Sequence, residues 1–552
     1  MGRARTLILG LDGATFDLIT PWAQAGYLPH LTKLMEHGVH GRLPAWPNMN
    51  SASAWSSIVT GYNPGRHGVY DFGSVPPQRG QKWHPITAAD RRKDPFWRLL
   101  SAAGQTVGVI NVPISYPADL INGFMLSGMD TPGVHSPGFT HPPGLYDQLR
   151  RVGINYVIDV PNLRELSRQV PQQMPLSVKQ TVEARARALL YLMESYPWDA
   201  VMAVFVATDR MQHYYWPDEP VSDEHPGWTP LRQLYQHIDA QLGEVLRHID
   251  ANTTVLVLSD HGFGPLRSTS RGLNALLARL GFLHYRKGGN RLTGKLLKPL
   301  LLYGRRYIPS RMQLRLAQAL PKLRLQAVNA YDFGGIEWSQ TRVFANLFEN
   351  LVYINLQGRQ PEGTVPVQDY ERLREEVREI LSSLTDPITG RRLIRGVYRR
   401  EDFYRGPYAE QAADLLIEWD ETAKGKGLGY HANGQSIAIE PPPSSGPGQG
   451  WCGVHRSEGI LIACGPPIKR GAAVANATHY DIAPTILYLQ GQPIPSDMDG
   501  KVLTDIFTGE HLSTHPVQLG TPTNTGLSAT TGLDAEEARQ IEERLRGLGY
   551  IE

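Results

Sequence analysis

Three apolar runs in the sequence each deliver an aspartate at or just past their end. TLILGL at 6–11 meets Asp12, AVMAVFV at 200–206 is followed by Asp209, and TVLVL at 254–258 precedes Asp260. Two of these acids have a histidine nearby. Asp209 and His213 form D-x-x-x-H, which puts both side chains on one face of a helical turn. Asp260 and His261 are adjacent in S-D-H-G-F-G, where glycine permits a turn sharp enough to aim both at one pocket. A further histidine, His455, stands in GVHRSEGILIACGP just before another apolar run. Carboxylate oxygens with imidazole nitrogens are a good ligand set for zinc and also accept manganese. Taken singly, each has an ordinary reading: Asp12 as a helix cap or turn former, Asp260 and His261 as a turn with a satisfied histidine, and His455 as a loop residue.

The stretch NMNSASAWSSIVTG at 48–61 offers four hydroxyls, Ser51, Ser53, Ser56 and Ser57, with no acid, base or cysteine beside them. A serine hydroxyl is a poor nucleophile at neutral pH unless a base or a metal ion activates it. The stretch reads either as a small-residue helix start or as a nucleophile whose activation comes from elsewhere.

The elements that would position these groups follow from the apolar pattern. Continuous β-branched runs suit strands buried on both faces, as in a parallel sheet covered by helices. Candidates are 6–11, 107–111, 200–206, 254–258 and 459–463, with helical patterns between them at 178–196 and 231–249. In open α/β sheets ligands bind at the carboxyl edge of the strands, where the three aspartates fall. The expected order is core, insertion, core: a first core segment at 1–275, an inserted lobe at 276–440, a second core segment at 441–515, and an arm with a terminal helix at 516–552. From 286 to 324 there are eleven Lys or Arg and no acid, and an α+β pattern follows at 336–418 with a helix at 369–384. PPPSSGPG at 441–448 reads as a linker or loop. Asp534 to Glu537 form a capping box ahead of a stripe of Ala538, Ile541, Leu545 and Leu548.

Composition narrows the class. The chain of 552 residues is 41% hydrophobic and 20% charged with a net charge of +2, an ordinary globular balance that gives no global case for a nucleic-acid partner. Cys452 and Cys464 fit no usual zinc or redox spacing and are expected as buried reduced thiols. The apolar run at the N-terminus is too short for a signal segment, and no run is long enough to span a membrane. A cytoplasmic location is expected, with peripheral membrane contact through 286–324 as the one membrane role left open.

Seen together and in this order, the blocks LILGLDG, NSASAWSSIVTGYNPGRHGVYDF, ATDRMQH, LSDHGFG, GVHRSEGILIACGP and THYDIAPTILYLQGQPIPSDMDG resemble the alkaline phosphatase superfamily, specifically its type I phosphodiesterase and nucleotide pyrophosphatase branch. The resemblance leaves only about 276–440 unmatched. It implies an α/β three-layer sandwich with a mostly parallel central sheet, to which the inserted α+β lobe is added. It also implies two divalent ions, zinc or alternatively manganese, one held by Asp209, His213 and His455 and the other by Asp12, Asp260, His261 and the nucleophile. In this branch the nucleophile stands nine residues before the Thr of the T-G at 60–61, which points to Ser51. Ser53, Ser56 and Ser57 are then helix or packing residues, with Ser53 the alternative nucleophile.

Two neighbours depart from the branch. Asn50 stands where an acid is usual and is the candidate substrate-binding residue, and Ala54 stands where an asparagine binds the phosphoryl group. The implied activity is metal-dependent hydrolysis of phosphate mono- or diesters of small molecules through a covalent phosphoserine. A phosphotransferase or mutase of the same superfamily is the second enzyme reading, and a binding protein on this scaffold is the non-enzyme rival. The C-x-P-x-R sequence of sulfatases is absent.

Overall fold

The structure is a computed structural model that describes the chain except residues 1–4, 75–83, 162, 223–224, 267–271, 287–334, 347–349, 421–422, 424–426, 433–434, 440–450, 523–532 and 549–552. Its centre is a nine-stranded sheet in the order Ala472–Ala473, Val39–Pro44, Glu458–Cys464, Thr254–Leu258, Thr6–Leu11, Ala200–Phe205, Val107–Ile110, Gly123–Leu126 and Thr140–His141. The five strands from Thr254–Leu258 to Gly123–Leu126 run parallel. Glu458–Cys464 and Thr140–His141 join antiparallel to their inner neighbours.

Alternate residues of the central strands enter two different apolar clusters. Leu7, Leu9 and Leu11 face one layer with Val201, Ala203 and Phe205, and Ile8 faces the other with Met202, Val204, Leu256 and Leu258. This is the three-layer α/β sandwich expected of an all-apolar strand run, which must be covered on both faces. The helices Met174–Ser195 and Thr229–Arg247 pack together on the first face. The helix Ile482–Leu489 and the helix Ser51–Thr60 lie on the second.

A separate cluster gathers residues from Leu273 to Ile439 around an antiparallel four-stranded sheet, Ile394–Arg399, Leu415–Trp419, Leu351–Ile354 and Val343–Ala345. The amphipathic helix Tyr370–Ser382 buries Leu373, Val377 and Leu381 in it. The basic segment, apart from Arg286, and the 441–448 linker lie outside the described residues. Of the arm, Leu519–Gly520 pairs with Ile494–Pro495. The terminal helix Ala535–Leu548 is capped by Asp534 as its sequence implies, with Asp534 Oδ1 accepting from Glu537 N at 2.8 Å, and Ile541, Leu545 and Leu548 are buried.

A fourth, small and largely aromatic cluster joins residues 403–416 to residues 46 and 70. Tyr404 and Leu416 are buried with Trp46, Tyr70 and Phe403 against them.

Candidate metal centre and nucleophile

Each strand end places its acid by a backbone turn. Asp12 follows Leu11, and Gly13 takes φ of +68° so that its N–H donates to Asp260 Oδ1 at 3.2 Å. A side chain there would be strained and would meet His261 Cε1 at 3.2 Å, so glycine is what allows the two acids to converge. Ser259 ties the same two turns together, its hydroxyl donating to Ala14 O at 2.9 Å and accepting from Ile460 N at 2.8 Å. Asp209 lies in the first turn of the helix Ala207–Tyr215, with His213 one turn later on the same face. His455 arrives on a short ribbon in which Gly453–Arg456 pairs antiparallel with Gly262–Pro265. That pairing stacks the His455 ring on His261, with centroids 3.6 Å apart.

The six expected ligands converge. Asp209 Oδ1 is 3.1 Å from His455 Nε2, 3.3 Å from His213 Nε2 and 4.0 Å from His261 Nε2. His261 Nε2 is 3.6 Å from Asp12 Oδ1 and 3.4 Å from Asp260 Oδ2. Two triads, Asp209 with His261 and His455, and Asp12 with Asp260 and His261, each bring their ligand atoms within 4.8 Å of one another. His213 Nε2, 3.2 Å from His455 Nε2, extends the first of them.

The tautomers follow from the hydrogen bonds. Nδ1 of His213 faces Gly453 O at 3.0 Å, Nδ1 of His261 faces Gly262 O at 2.9 Å, and Nδ1 of His455 faces Met49 O at 2.7 Å. A carbonyl oxygen only accepts, so each Nδ1 carries a proton and each ring turns Nε2 to the acids. Burial holds His261 well below the ordinary imidazole range, and the neighbouring His455 adds to it. Burial likewise lowers His213.

Lone pairs aimed at carboxylate oxygens inside a protein are unfavourable unless a cation lies between them. Asp12 Oδ1 and Asp260 Oδ2 are buried without a hydrogen-bond donor. Burial, reinforced by repulsion from Asp260 and Asp209, raises the Asp12 carboxyl well above its usual range, and burial pushes Asp260 up to about 6. Asp209 goes the other way. Burial opposes its charge, but His213, His455 and Arg210 together hold its carboxyl well below the usual range. The donor set therefore fits divalent cations, by chemistry and by its unpartnered atoms.

Ser51 is the serine that reaches this cluster. It opens the helix Ser51–Thr60, fully buried, with its hydroxyl 3.2 Å from His261 Nε2. The helix N-terminus favours negative charge at this point. Ser53 and Ser56 bury their hydroxyls without a partner. Ser57 pairs with His67 at 3.0 Å, and His67 Nδ1 accepts from Val69 N at 3.1 Å. Asn50 caps the helix, accepting from Ala52 N at 2.9 Å, and donates to Asp71 at 2.8 Å. Both ends of its amide are engaged, which leaves one Nδ2 proton for any contact with a substrate. Ala54 is fully buried in the same helix.

Three features were not read from the sequence. Trp55 Nε1 donates to Asp12 Oδ2 at 3.1 Å, which leaves Oδ1 to face the cluster. Arg210 grips the outer oxygen of Asp209. The carbonyls that orient the histidines are backbone groups, without a side-chain signature, whereas the indole in NSASAW and the Arg directly after Asp209 were visible. The turn at Asn63–Gly68 has a structural use: Asn63 Nδ2 donates to Asp499 at 2.7 Å, and Tyr408 N of the lobe donates to Gly65 O at 2.9 Å. Cys452 and Cys464 are unpaired, with burial pushing the Cys452 thiol up to about 12.

The profile of the type I phosphodiesterase / nucleotide pyrophosphatase family matches residues 6–424, a span that holds every one of these ligands but His455. No curated protein matches the chain significantly. Among solved structures, phosphonoacetate hydrolase from Sinorhizobium meliloti 1021 in complex with phosphonoformate superposes with a TM-score of 0.51 at 12% identity, covering 88% of this chain and 95% of that one. Human ectonucleotide pyrophosphatase / phosphodiesterase 5 gives 0.46 at 13% identity, covering 91% of this chain and 100% of that one. A substituted form of alkaline phosphatase PafA gives 0.49 at 14% identity, with 92% and 100% covered. The chain belongs to the type I phosphodiesterase / nucleotide pyrophosphatase family and is a hydrolase acting on phosphoric ester bonds.

Proposed function

We propose that the chain hydrolyses small-molecule phosphate esters with Ser51 as the nucleophile and two divalent ions, zinc or manganese, held by the six acids and histidines. The observation that carries this reading is the Ser51 hydroxyl lying 3.2 Å from His261 Nε2, beside buried carboxylate oxygens that have no other partner. Asp209, His213 and His455 would hold one ion, and Asp12, Asp260 and His261 the other, with Ser51 joining the second set. Bound there, such ions would lower the pKa of the hydroxyl and neutralise the phosphoryl and leaving oxygens.

The chain's own groups set the rest. Ser51 Oγ loses its proton and bonds to phosphorus while the ester P–O bond breaks, and the leaving oxygen takes up a proton. Water then cleaves the Ser51 O–P bond and restores the hydroxyl, releasing phosphate from a monoester or a phosphate monoester from a diester. The three Nδ1–H donors keep the imidazoles fixed, so little reorganisation accompanies the step. His455, with 19% of its side chain exposed, marks where the cluster meets solvent. Choice of ester is assigned to the inserted lobe, which abuts the segment leading into Ser51. Among the described residues no helix is long and apolar enough to cross a membrane.

The purified protein should contain about two ions per chain and hydrolyse aryl phosphate esters, with both lost on chelation. Comparing an aryl monoester with its diester separates phosphatase from phosphodiesterase. Turnover that needs an acceptor alcohol and releases little phosphate would instead favour a phosphotransferase, and metal-free hydrolysis at the full rate would defeat the reading.

A further inference from the structure

Arg210 is almost fully buried beside the metal centre, yet no step above uses it. Its guanidinium is shared between two carboxylates. Nη1 grips Asp209 Oδ2, while Nε and Nη2 donate to Asp159 Oδ2 at 3.0 and 2.7 Å. Asp159 is itself fixed, its Oδ1 accepting from Val160 N at 2.7 Å. The two oxygens of Asp209 are thereby divided. Oδ2 belongs to Arg210, and Oδ1 faces Nε2 of His455 at 3.1 Å and of His213 at 3.3 Å. Arg544 of the terminal helix donates to Pro132 O at 3.1 Å and lies in the field of Asp159 and Asp130.

A positive charge at this place cannot serve to attract a divalent ion, since it repels one. It helps keep Asp209 ionised, and beyond that its use is geometric. We propose that Arg210, anchored by Asp159, is a positioning residue that restricts Asp209 to one-oxygen ligation. This rests on the two-ion reading of the site. The planar fork spans both carboxylates at once, which a lysine ammonium cannot do. Asp159 offsets the guanidinium charge, so the pair positions Asp209 with little net field at the ion.

Repulsion of the ion and positioning of its ligand differ in sign, which makes those two roles separable. The full-length protein, stripped of metal, is titrated with Zn2+ against a chromophoric chelator, and with Co2+ for its visible spectrum. In the wild type two ions bind. Arg210→Met is expected to weaken one of them by about 10- to 100-fold and to alter its cobalt spectrum, because Asp209 becomes free to rotate or to bind through both oxygens. Arg210→Lys is expected to recover only part of that loss. The double variant Arg210→Met with Asp159→Asn restores the charge balance and is expected to remain weakened. Arg210→Met with unchanged or tighter binding and an unchanged cobalt spectrum overturns the inference, as does full recovery in the double variant. Should Arg210→Met fail to fold, Asp159→Asn decides: weaker binding of the same ion supports the role and wild-type binding refutes it. A wild type that binds no ion would sink the proposed function as well.

Discussion

Ser51 Oγ and His261 Nε2 lie 3.2 Å apart although 210 residues separate them in the chain. One sits at the start of a buried helix and the other just past the end of a central strand, so the sheet brings the proposed nucleophile to the Asp/His cluster. The relation implies that Ser51→Ala keeps both ions and lowers kcat by about 10³-fold or more. Ser53→Ala, which removes a hydroxyl that has no partner, is expected to leave kcat and KM near those of the wild type. Steady-state kinetics with metal analysis of both variants checks this, and the reverse pattern would make Ser53 the nucleophile.

Metal removal should show a definite pH dependence. Burial and mutual repulsion raise the Asp12 carboxyl, and burial raises Asp260 to about 6. A raised carboxyl stabilises the metal-free fold fully below the ordinary carboxylate range of about 4, and that contribution is lost as pH rises through about 6. Ions bind the deprotonated groups, so their stabilisation grows over the same window. The rise in Tm on adding metal is expected to be larger near pH 8, above the Asp260 midpoint, than near pH 5, below it. Thermal melts with and without chelator read this directly, and a pH-independent increment would contradict it.

His67 should behave as a structural residue. Burial, with Arg91 nearby, lowers its pKa to about 3, so the ring stays neutral, accepts from Val69 N and donates to Ser57. Ser57→Ala leaves that donor unsatisfied, and His67→Ala removes both bonds and the ring. Each is expected to cost about 1–3 kcal/mol of stability. Metal content and kcat per folded molecule should be unchanged, as chemical denaturation and active-site titration would show.

The lobe's grip on the nucleophile segment can be tested at Tyr404. Its buried hydroxyl donates to Asn48 Oδ1 at 3.0 Å, and Asn48 Nδ2 donates to Tyr480 at 2.9 Å, three residues before Ser51. Tyr404→Phe leaves the Asn48 oxygen buried without that donor, at a cost of about 1–2 kcal/mol. If the lobe selects the ester, kcat/KM for the preferred substrate falls by about 10-fold while metal affinity holds. Equal losses for every ester would argue against a role in selection.

Much of this centre was legible because its strongest signals are local. TLILGL and TVLVL ended where the buried parallel strands end, AVMAVFV ran one residue past its strand, and D-x-x-x-H fell on a helix as its spacing requires. The strand Val39–Pro44 was missed because V-H-G-R-L-P buries only Val39 and Leu43 and lacks an apolar run. The ribbon that carries His455 was also missed, since Gly262–Pro265 and Gly453–Arg456 are short, glycine-rich and distant in sequence. Arg210 and Trp55 were in plain view within their motifs. Their partners, Asp159 and Asp12, are joined to them only by tertiary contact.

Ser51 is proposed to carry the phosphoryl group during turnover. Enzyme loaded with zinc is mixed with an aryl phosphate ester, quenched in acid within the first turnovers, digested and mapped by mass spectrometry. A phosphoryl group on the Ser51 peptide, absent from Ser51→Ala and from chelated enzyme, is the expected result. Full turnover by a wild type that never shows phosphorylated Ser51, or undiminished turnover by Ser51→Ala with both ions bound, would contradict it.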